Sequence, residues 1–240
     1  MRIDHLLVTR GLFDSRARAQ AAIAGGLVEA DGVVVRKPAE KVAADAVVEA
    51  EPAHRWVGRG ALKLDHALSL WPVTVEGRIV LDVGASTGGF TEVCLKRGAA
   101  KVLAVDVGQG QMHPRVAADP RVINLQRTDA RELTAALVPE APQLIVCDAS
   151  FIGLAKVLPA ALVLANEGTD LITLVKPQFE ADRPGGHKKG VVKDPEAHAA
   201  AITSVSSWLE RVGWTVQATT DSPITGGDGN VEFLLWAKKR

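Results

Sequence analysis

Arg78-Ile79-Val80-Leu81-Asp82-Val83-Gly84-Ala85-Ser86-Thr87-Gly88-Gly89-Phe90-Thr91 is the stretch whose reading decides the fold. It begins as an apolar run and passes through glycines into a helical pattern ending near Arg97. A run that is apolar on both faces needs cover on both sides, as in a parallel sheet. Glycines at a strand-to-helix turn let a ligand reach the backbone, and the helix start offers unpaired N–H groups. Outward from this stretch, strand patterns follow at Lys101–Val105, Val122–Gln126, Gln143–Cys147, Asp170–Val175, Trp214–Thr219 and Val231–Ala237. Helical patterns fall at Ala61–Trp71, Leu154–Ala165 and Pro195–Val212. This alternation predicts an α/β, Rossmann-like fold: a mainly parallel sheet with helices on both faces.

The N-terminal residues read differently. Residues 1–25 predict two short helices, the second capped by Asp14 or Ser15 and stopped at Gly25-Gly26. Leu27–Ala30, an Asp31-Gly32 turn and Val33–Val35 predict a tight hairpin, because Asp-Gly suits positive φ angles. A further extended piece, Ala46–Ala50, closes a small α+β module over residues 1–50. Residues 51–60, with Pro52 and two glycines, read as a linker in which Trp56 packs on one domain. Residues 61–240 form the larger domain.

Bulk composition narrows the classes. Hydrophobic residues are 47% of the chain and mean hydropathy is +0.11, ordinary for a soluble α/β protein. With 28 basic and 28 acidic residues the net charge is zero, so any nucleic-acid site must come from local segregation of charge. Cys94 and Cys147 lie in apolar segments and read as reduced core residues; the histidines show no ligand spacing, so no metal is expected. The N-terminus lacks an apolar signal-peptide core, and the longest apolar run, Val157–Ala165, is broken by Pro159. A cytoplasmic protein with no membrane partner is expected.

The spacing after Asp82 separates two cofactor classes. A dinucleotide site uses Gly-x-Gly-x-x-Gly to clear a pyrophosphate. Here the loop is Gly84-x-x-x-Gly88-Gly89 behind an acidic residue, and an acid facing the ligand suits the cationic sulfonium of S-adenosylmethionine. Asp106 ends the second strand 24 residues later, where a carboxylate meets ribose hydroxyls. Asp129 is placed for the adenine amino group. The cofactor pocket is therefore read as Asp82, Gly84, Ala85, Ser86, Thr87, Gly88, Gly89, Phe90, Thr91, Asp106, Asp129 and Asp148.

Four polar residues at element edges form a second set: Lys63, Asp148, Lys176 and Glu232. A sugar hydroxyl needs a base within hydrogen-bond reach, and a lysine serves only with a lowered pKa. Lys176 leaves an apolar strand at the sheet edge where open α/β folds bind ligands, and Asp148 sits at the same edge. Glu232 is not selected by spacing alone.

Five stretches carry a resemblance: Arg59-Gly60-Ala61-Leu62-Lys63-Leu64, Leu81 through Thr91, Cys147-Asp148-Ala149-Ser150-Phe151-Ile152, Val175-Lys176-Pro177-Gln178-Phe179-Glu180 and Gly229-Asn230-Val231-Glu232-Phe233-Leu234. With them the chain resembles the TlyA family, haemolysin-A-like rRNA 2′-O-methyltransferases that join an S4 RNA-binding domain to an FtsJ/RrmJ-type methyltransferase domain. The resemblance implies a seven-stranded sheet with its last strand antiparallel. It also implies a Lys-Asp-Lys-Glu tetrad with Lys176 as base, Asp148 supporting it, and Lys63 and Glu232 orienting the ribose. The implied substrate is the 2′-hydroxyl of a cytidine in ribosomal RNA. Compact members of the family suggest small-subunit RNA.

RNA contacts are expected from Arg2, Arg10, Arg16 and Arg18 in the helical pair and from Arg36-Lys37 after the hairpin. Arg55 and Arg59 would continue the track, and Lys188 and Lys189 belong to a basic, glycine-containing loop from Arg183 to Lys193. Phe151 and Phe179 are candidates for stacking on the target base. Three other functions compete: a nicotinamide oxidoreductase, an RNA-binding protein with an inert transferase domain, and a membrane-lytic protein.

Overall fold

The computed structural model describes residues 1–180, 191–226 and 228–240. The chain divides into two compact units, Met1–Arg55 and Trp56–Arg240.

In the first unit, α1 (Ile3–Thr9) and α2 (Arg16–Ala24) pack Ile3, Leu6, Leu7, Ala19, Ala22 and Ile23 into one small core. Ser15 is the N-cap of α2: its hydroxyl accepts the Arg18 N–H at 3.4 Å. Three short strands, β1 (Val28–Ala30), β2 (Val33–Val34) and β3 (Val48–Ala50), form an antiparallel sheet in the order β2-β1-β3. The hairpin turn has φ 50° at Asp31 and 77° at Gly32, both positive as a type I′ turn requires.

Asp4, wholly buried, organises this unit. Its carboxylate accepts from Arg2 at 3.0 and 3.1 Å, from Arg16 at 2.8 Å and from Gln20 at 2.9 Å. The Arg2 guanidinium, with help from Arg16 and Gln20, holds the Asp4 carboxyl far below the usual range.

The second unit starts at Trp56, inside the stretch expected to be linker. Trp56 and Val57 are buried in its core, so the chain commits to the larger domain earlier than its glycines suggest. α3 (Gly60–Leu70) leads into β4 (Ile79–Val83), α4 (Gly89–Lys96), β5 (Lys101–Asp106), α5 (Pro114–Ala117), β6 (Val122–Gln126), a 3₁₀ turn (Ala130–Glu132) and β7 (Leu144–Cys147). Then come α6 (Leu154–Val157), α7 (Pro159–Val163), β8 (Asp170–Val175), α8 (Pro177–Glu180), α9 (Pro195–Arg211), β9 (Trp214–Asp221) and β10 (Phe233–Lys239). The helix expected over Leu154–Ala165 is two: Pro159 cannot donate a mid-helix bond and instead begins α7. The short α5, α8 and 3₁₀ turn were not foreseen, because three or four residues carry no helical period.

The sheet has seven strands in the order β6-β5-β4-β7-β8-β10-β9. β4, β5, β6, β7 and β8 are parallel, and β10 runs antiparallel to both of its neighbours. Side-chain alternation builds two cores. Leu81, Val83, Leu103, Val105, Ile145 and Leu171 face α6, α7 and α9. Val80, Val102, Leu144, Val146 and Ile172 face α3 and α4. The free cysteines lie one in each core, and burial pushes the Cys147 thiol up to about 12. Order reverses at β4, whose neighbours β5 and β7 lead to opposite edges. The crevice at the carboxyl ends of these strands is where such sheets take ligands.

Candidate active site

Two adjoining cavities open at that crevice. The larger, about 490 Å³, is lined by apolar Val83, Val105, Ile152 and Val157 and by the carboxylates of Asp106 and Asp129. The smaller, about 240 Å³, contains Arg59, Lys63, Asp148, Lys176 and Glu232. Gly84, Ser86, Asp148 and Ser150 line both. The larger has the volume of a drug-sized ligand site.

The loop after β4 shapes the floor. Gly84 has φ 83°, and a Cβ there would stand 3.0 Å from the backbone N and Cα of Ala149. Gly88, φ 87°, is the N-cap of α4. Asp106 fastens the loop: one oxygen accepts the Ser86 N–H at 2.8 Å and the other the Gly108 N–H at 2.7 Å. Asp129 accepts from the Arg131 guanidinium, down to 2.5 Å, and caps the 3₁₀ turn. Those bonds to Arg131 hold its carboxyl below the usual range.

Asp82 is placed differently from the expectation of an acid facing the ligand. It is fully buried beneath the loop and lines neither cavity. One oxygen accepts the Thr91 hydroxyl at 2.6 Å; the other has no hydrogen-bond partner among the described residues. Gly88 and Thr91 likewise line neither cavity, Thr91 because it serves Asp82. Of the expected pocket, Gly84, Ala85, Ser86, Thr87, Gly89, Phe90, Asp106, Asp129 and Asp148 do line one or both.

Burial pushes the Asp82 carboxyl up to about 7, although the Thr91 bond opposes the shift. The folded chain therefore holds this proton more tightly than the unfolded chain. Below the ordinary value of 3.8 both states are protonated and folding is not penalised. As pH rises from there to about 7, the unfolded chain ionises first and stability falls, by at most on the order of 4 kcal/mol. Asp82→Asn keeps an acceptor for Thr91 and removes the titration. Urea melts of the variant should lose less stability than wild type between about pH 4 and 7. Parallel losses would show that Asp82 ionises normally.

The four tetrad residues come together from distant parts of the chain. Lys63, on α3, reaches Glu232 at 2.6 Å and Asp148 at 3.7 Å. Lys176, at the end of β8, contacts the other Asp148 carboxylate oxygen at 2.6 Å and donates to Ser150 Oγ at 2.9 Å and to the Asp148 carbonyl at 3.3 Å. The order Glu232–Lys63–Asp148–Lys176 alternates in sign, and Lys63, Lys176 and Glu232 are 3–6% exposed. Buried charges this close need such mutual neutralisation.

Glu232 just precedes β10, where Phe233 pairs with Val175, so it falls beside the end of β8. Gly226 packs against it without a side chain, since a Cβ would approach Glu232 Oε1 to 2.5 Å. Glu92, unnoticed in the sequence, is nearly buried and takes the Val57 N–H at 2.7 Å and Arg115 at 2.5 Å. It thereby fixes the segment that leads to Gly58, Arg59 and Gly60 in the smaller cavity. Ser150 was also missed, although it lies two residues after Asp148.

Phe151, 76% exposed, has φ 67°, a conformation a bulky side chain rarely adopts. Its ring lies 5.4 Å from that of Phe179. Several expected RNA contacts are engaged with the protein itself. Arg2 and Arg16 hold Asp4, and Arg10 donates to the carbonyls of Ala44 and Ala46 at 2.6 Å. Arg10 is thus a structural tie. Arg18 lies 3.5 Å from Asp14. Arg36, Lys37, Arg55 and Arg59 are exposed, and Arg59 lines the smaller cavity. Arg183, Lys188 and Lys189 lie outside the described residues.

The chain is similar to known proteins in both of its units. An FtsJ-like methyltransferase model matches residues 56–239, and an S4 domain model matches residues 1–48. The chain is 45% identical to the 16S/23S rRNA (cytidine-2′-O)-methyltransferase TlyA of Mycobacterium tuberculosis, over 99% of this chain and 89% of that one. It is 36% identical to the 23S rRNA (cytidine-2′-O)-methyltransferase TlyA of Campylobacter jejuni, over 75% of this chain and 70% of that one. A solved structure described as a putative hemolysin from Streptococcus thermophilus superposes with a TM-score of 0.78 at 36% identity, covering 100% of this chain and 88% of that one. The donor implied by this fold is S-adenosylmethionine, and the cavity chemistry fits it: apolar walls, the Asp106 and Asp129 carboxylates and a loop with no side chain at Gly84. The chain belongs to the TlyA family, an S4 domain followed by an FtsJ-like methyltransferase domain.

Proposed function

We propose that this protein methylates the 2′-hydroxyl of a cytidine in ribosomal RNA, with Lys176 as general base. The observation that carries the reading is the buried Lys176 amine at the end of β8, within a cavity that also holds Lys63, Asp148 and Glu232 and shares its wall with the larger cavity. Bound S-adenosylmethionine supplies an electrophilic methyl group. Asp106 and the Gly84–Thr87 loop would hold that donor. Asp148 positions the Lys176 amine, and the neutral amine takes the hydroxyl proton. Lys63, tied to Glu232 and Asp148, offers a cation to the developing oxyanion.

RNA is met in the N-terminal unit by the exposed Arg36 and Lys37. In the second unit, Arg59 brings a cation to the smaller cavity. Phe151, exposed at the cavity rim, offers a face for the target base. No helix among the described residues is long and apolar enough to cross a membrane, and no feature of the site favours the lytic reading.

The test is transfer of labelled methyl from S-adenosylmethionine to small and large ribosomal subunits that lack the modification. Label on a 2′-O-methylcytidine is the expected result. Small-subunit RNA alone is the narrower expectation. The two relatives are named for both subunits and for 23S RNA, so both subunits belong in the assay. A protein that binds the donor yet labels neither subunit would overturn the reading.

A further inference from the structure

We propose that Ser150 is a proton relay between the substrate hydroxyl and Lys176. The inference rests on the reading of Lys176 as base and adds a second group to the proton path. Three oxygens surround the Lys176 amine: Ser150 Oγ at 2.9 Å, the Asp148 carbonyl at 3.3 Å and an Asp148 carboxylate oxygen at 2.6 Å. In the resting ammonium the Ser150 hydroxyl and the Asp148 carbonyl accept hydrogen bonds, while the Asp148 carboxylate oxygen stands in ion-pair contact. A base must be neutral, and a neutral amine carries two N–H donors and one lone pair. A carbonyl and a carboxylate can only accept, so they take the two N–H groups. The lone pair is then left facing Ser150, whose hydroxyl is the one of the three that can reverse from acceptor to donor.

Position supports the same assignment. Lys176 is 4% exposed, whereas Ser150 is exposed and lines both cavities. Among the described residues the Ser150 hydroxyl donates to no acceptor, so its proton is not committed elsewhere. The neighbouring Phe151, held at φ 67°, is where the chain turns sharply next to this serine. Such strain at a site is sustained only by the surrounding structure and points to a constrained geometry.

The step balances. The ribose O–H bond breaks and its proton passes to Ser150 Oγ. The Ser150 O–H bond breaks as its proton passes to the Lys176 lone pair. The serine hydroxyl is restored, Lys176 becomes an ammonium, and the ribose oxygen is left with the electron pair that forms the new O–CH₃ bond. After product leaves, the ammonium returns its proton to solvent along the reverse path.

The experiment is single-turnover methyl transfer to modification-free subunits, with donor saturating, for wild type, Ser150→Ala, Ser150→Thr and Lys176→Met. Ser150→Ala should slow the step by about 100-fold at saturating donor, with melting temperature unchanged. Ser150→Thr, which keeps a hydroxyl, should recover most of the rate. Two protons in flight should give wild type a bowed dependence of rate on deuterium fraction, and Ser150→Ala a linear one. A purely structural serine would not change that curvature. Ser150→Ala within about threefold of wild type, or a linear dependence in wild type, would overturn the relay. If Lys176→Met is inactive while Ser150→Ala keeps full rate, only the relay fails. If Lys176→Met retains transfer, the base assignment fails with it.

Discussion

Lys176→Met should abolish methyl transfer, lowering the single-turnover rate by about 10²–10⁴-fold, the range expected when a positioned base is removed. Methionine fills a similar volume, so β8 and the fold around it should persist. Asp148 keeps Lys63 at 3.7 Å and is partly exposed at 20%, so it is not left as an isolated buried charge. Donor affinity should change little, since the larger cavity does not include Lys176. The informative companion is Lys176→Arg. It retains the positive charge beside Asp148, but a guanidinium does not lose its proton in a protein. An inactive arginine variant with normal donor binding identifies a base. An active one would show that this position needs only a cation, and the proposed mechanism would be wrong.

Gly84→Ala should cost the donor site more than its one added methyl group suggests. The backbone there sits at φ 83°, which costs a non-glycine residue on the order of 1–3 kcal/mol. The new Cβ would also meet the Ala149 backbone at 3.0 Å. Neither side can yield easily. Gly84 donates its N–H to Val105 O at 2.9 Å, and Asp148 donates to Val83 O at 3.1 Å. The two loops forced apart both line the two cavities. Donor affinity measured by calorimetry should fall by at least about tenfold, that is about 1.4 kcal/mol. Gly77→Ala is the control. Its φ is 70°, but a Cβ there meets nothing within 4 Å. Equal losses at the two positions would mean that backbone strain alone, and not crowding at the site, sets the effect.

Much of the fold was legible because local rules agreed with the global arrangement. The Asp31-Gly32 turn, the Ser15 cap, the Gly25-Gly26 stop and the apolar parallel strands follow from short-range sterics and periodicity. Where neighbours in space override neighbours in sequence, the reading failed. Residues 51–60 looked like linker throughout, but the larger unit begins at Trp56, whose packing on one domain was expected and which is buried against α3 and α4. Asp82 looked ligand-facing because it begins the loop, yet Thr91, one helical turn into α4, turns it inward. Arg10 looked like a phosphate contact, but the carbonyls of Ala44 and Ala46 claim its guanidinium across more than thirty positions of chain.

The same division runs through the active site. The sequence alone determined that β4, β7 and β8 deliver Asp82, Asp148 and Lys176 to one sheet edge, because parallel strands of equal polarity end together. It also determined that glycines would keep the first loop open. Only the tertiary structure decided that Glu232 meets Lys63, 169 residues away, at 2.6 Å. Only it decided that Ser150 is a partner of Lys176 and that Asp82 belongs to the foundation rather than the surface of the pocket. The physical reason is the range of the interactions. Strand period, turn sterics and caps act within a few residues. Ion pairs, buried hydrogen bonds and close backbone approaches depend on which distant segments the sheet order brings side by side.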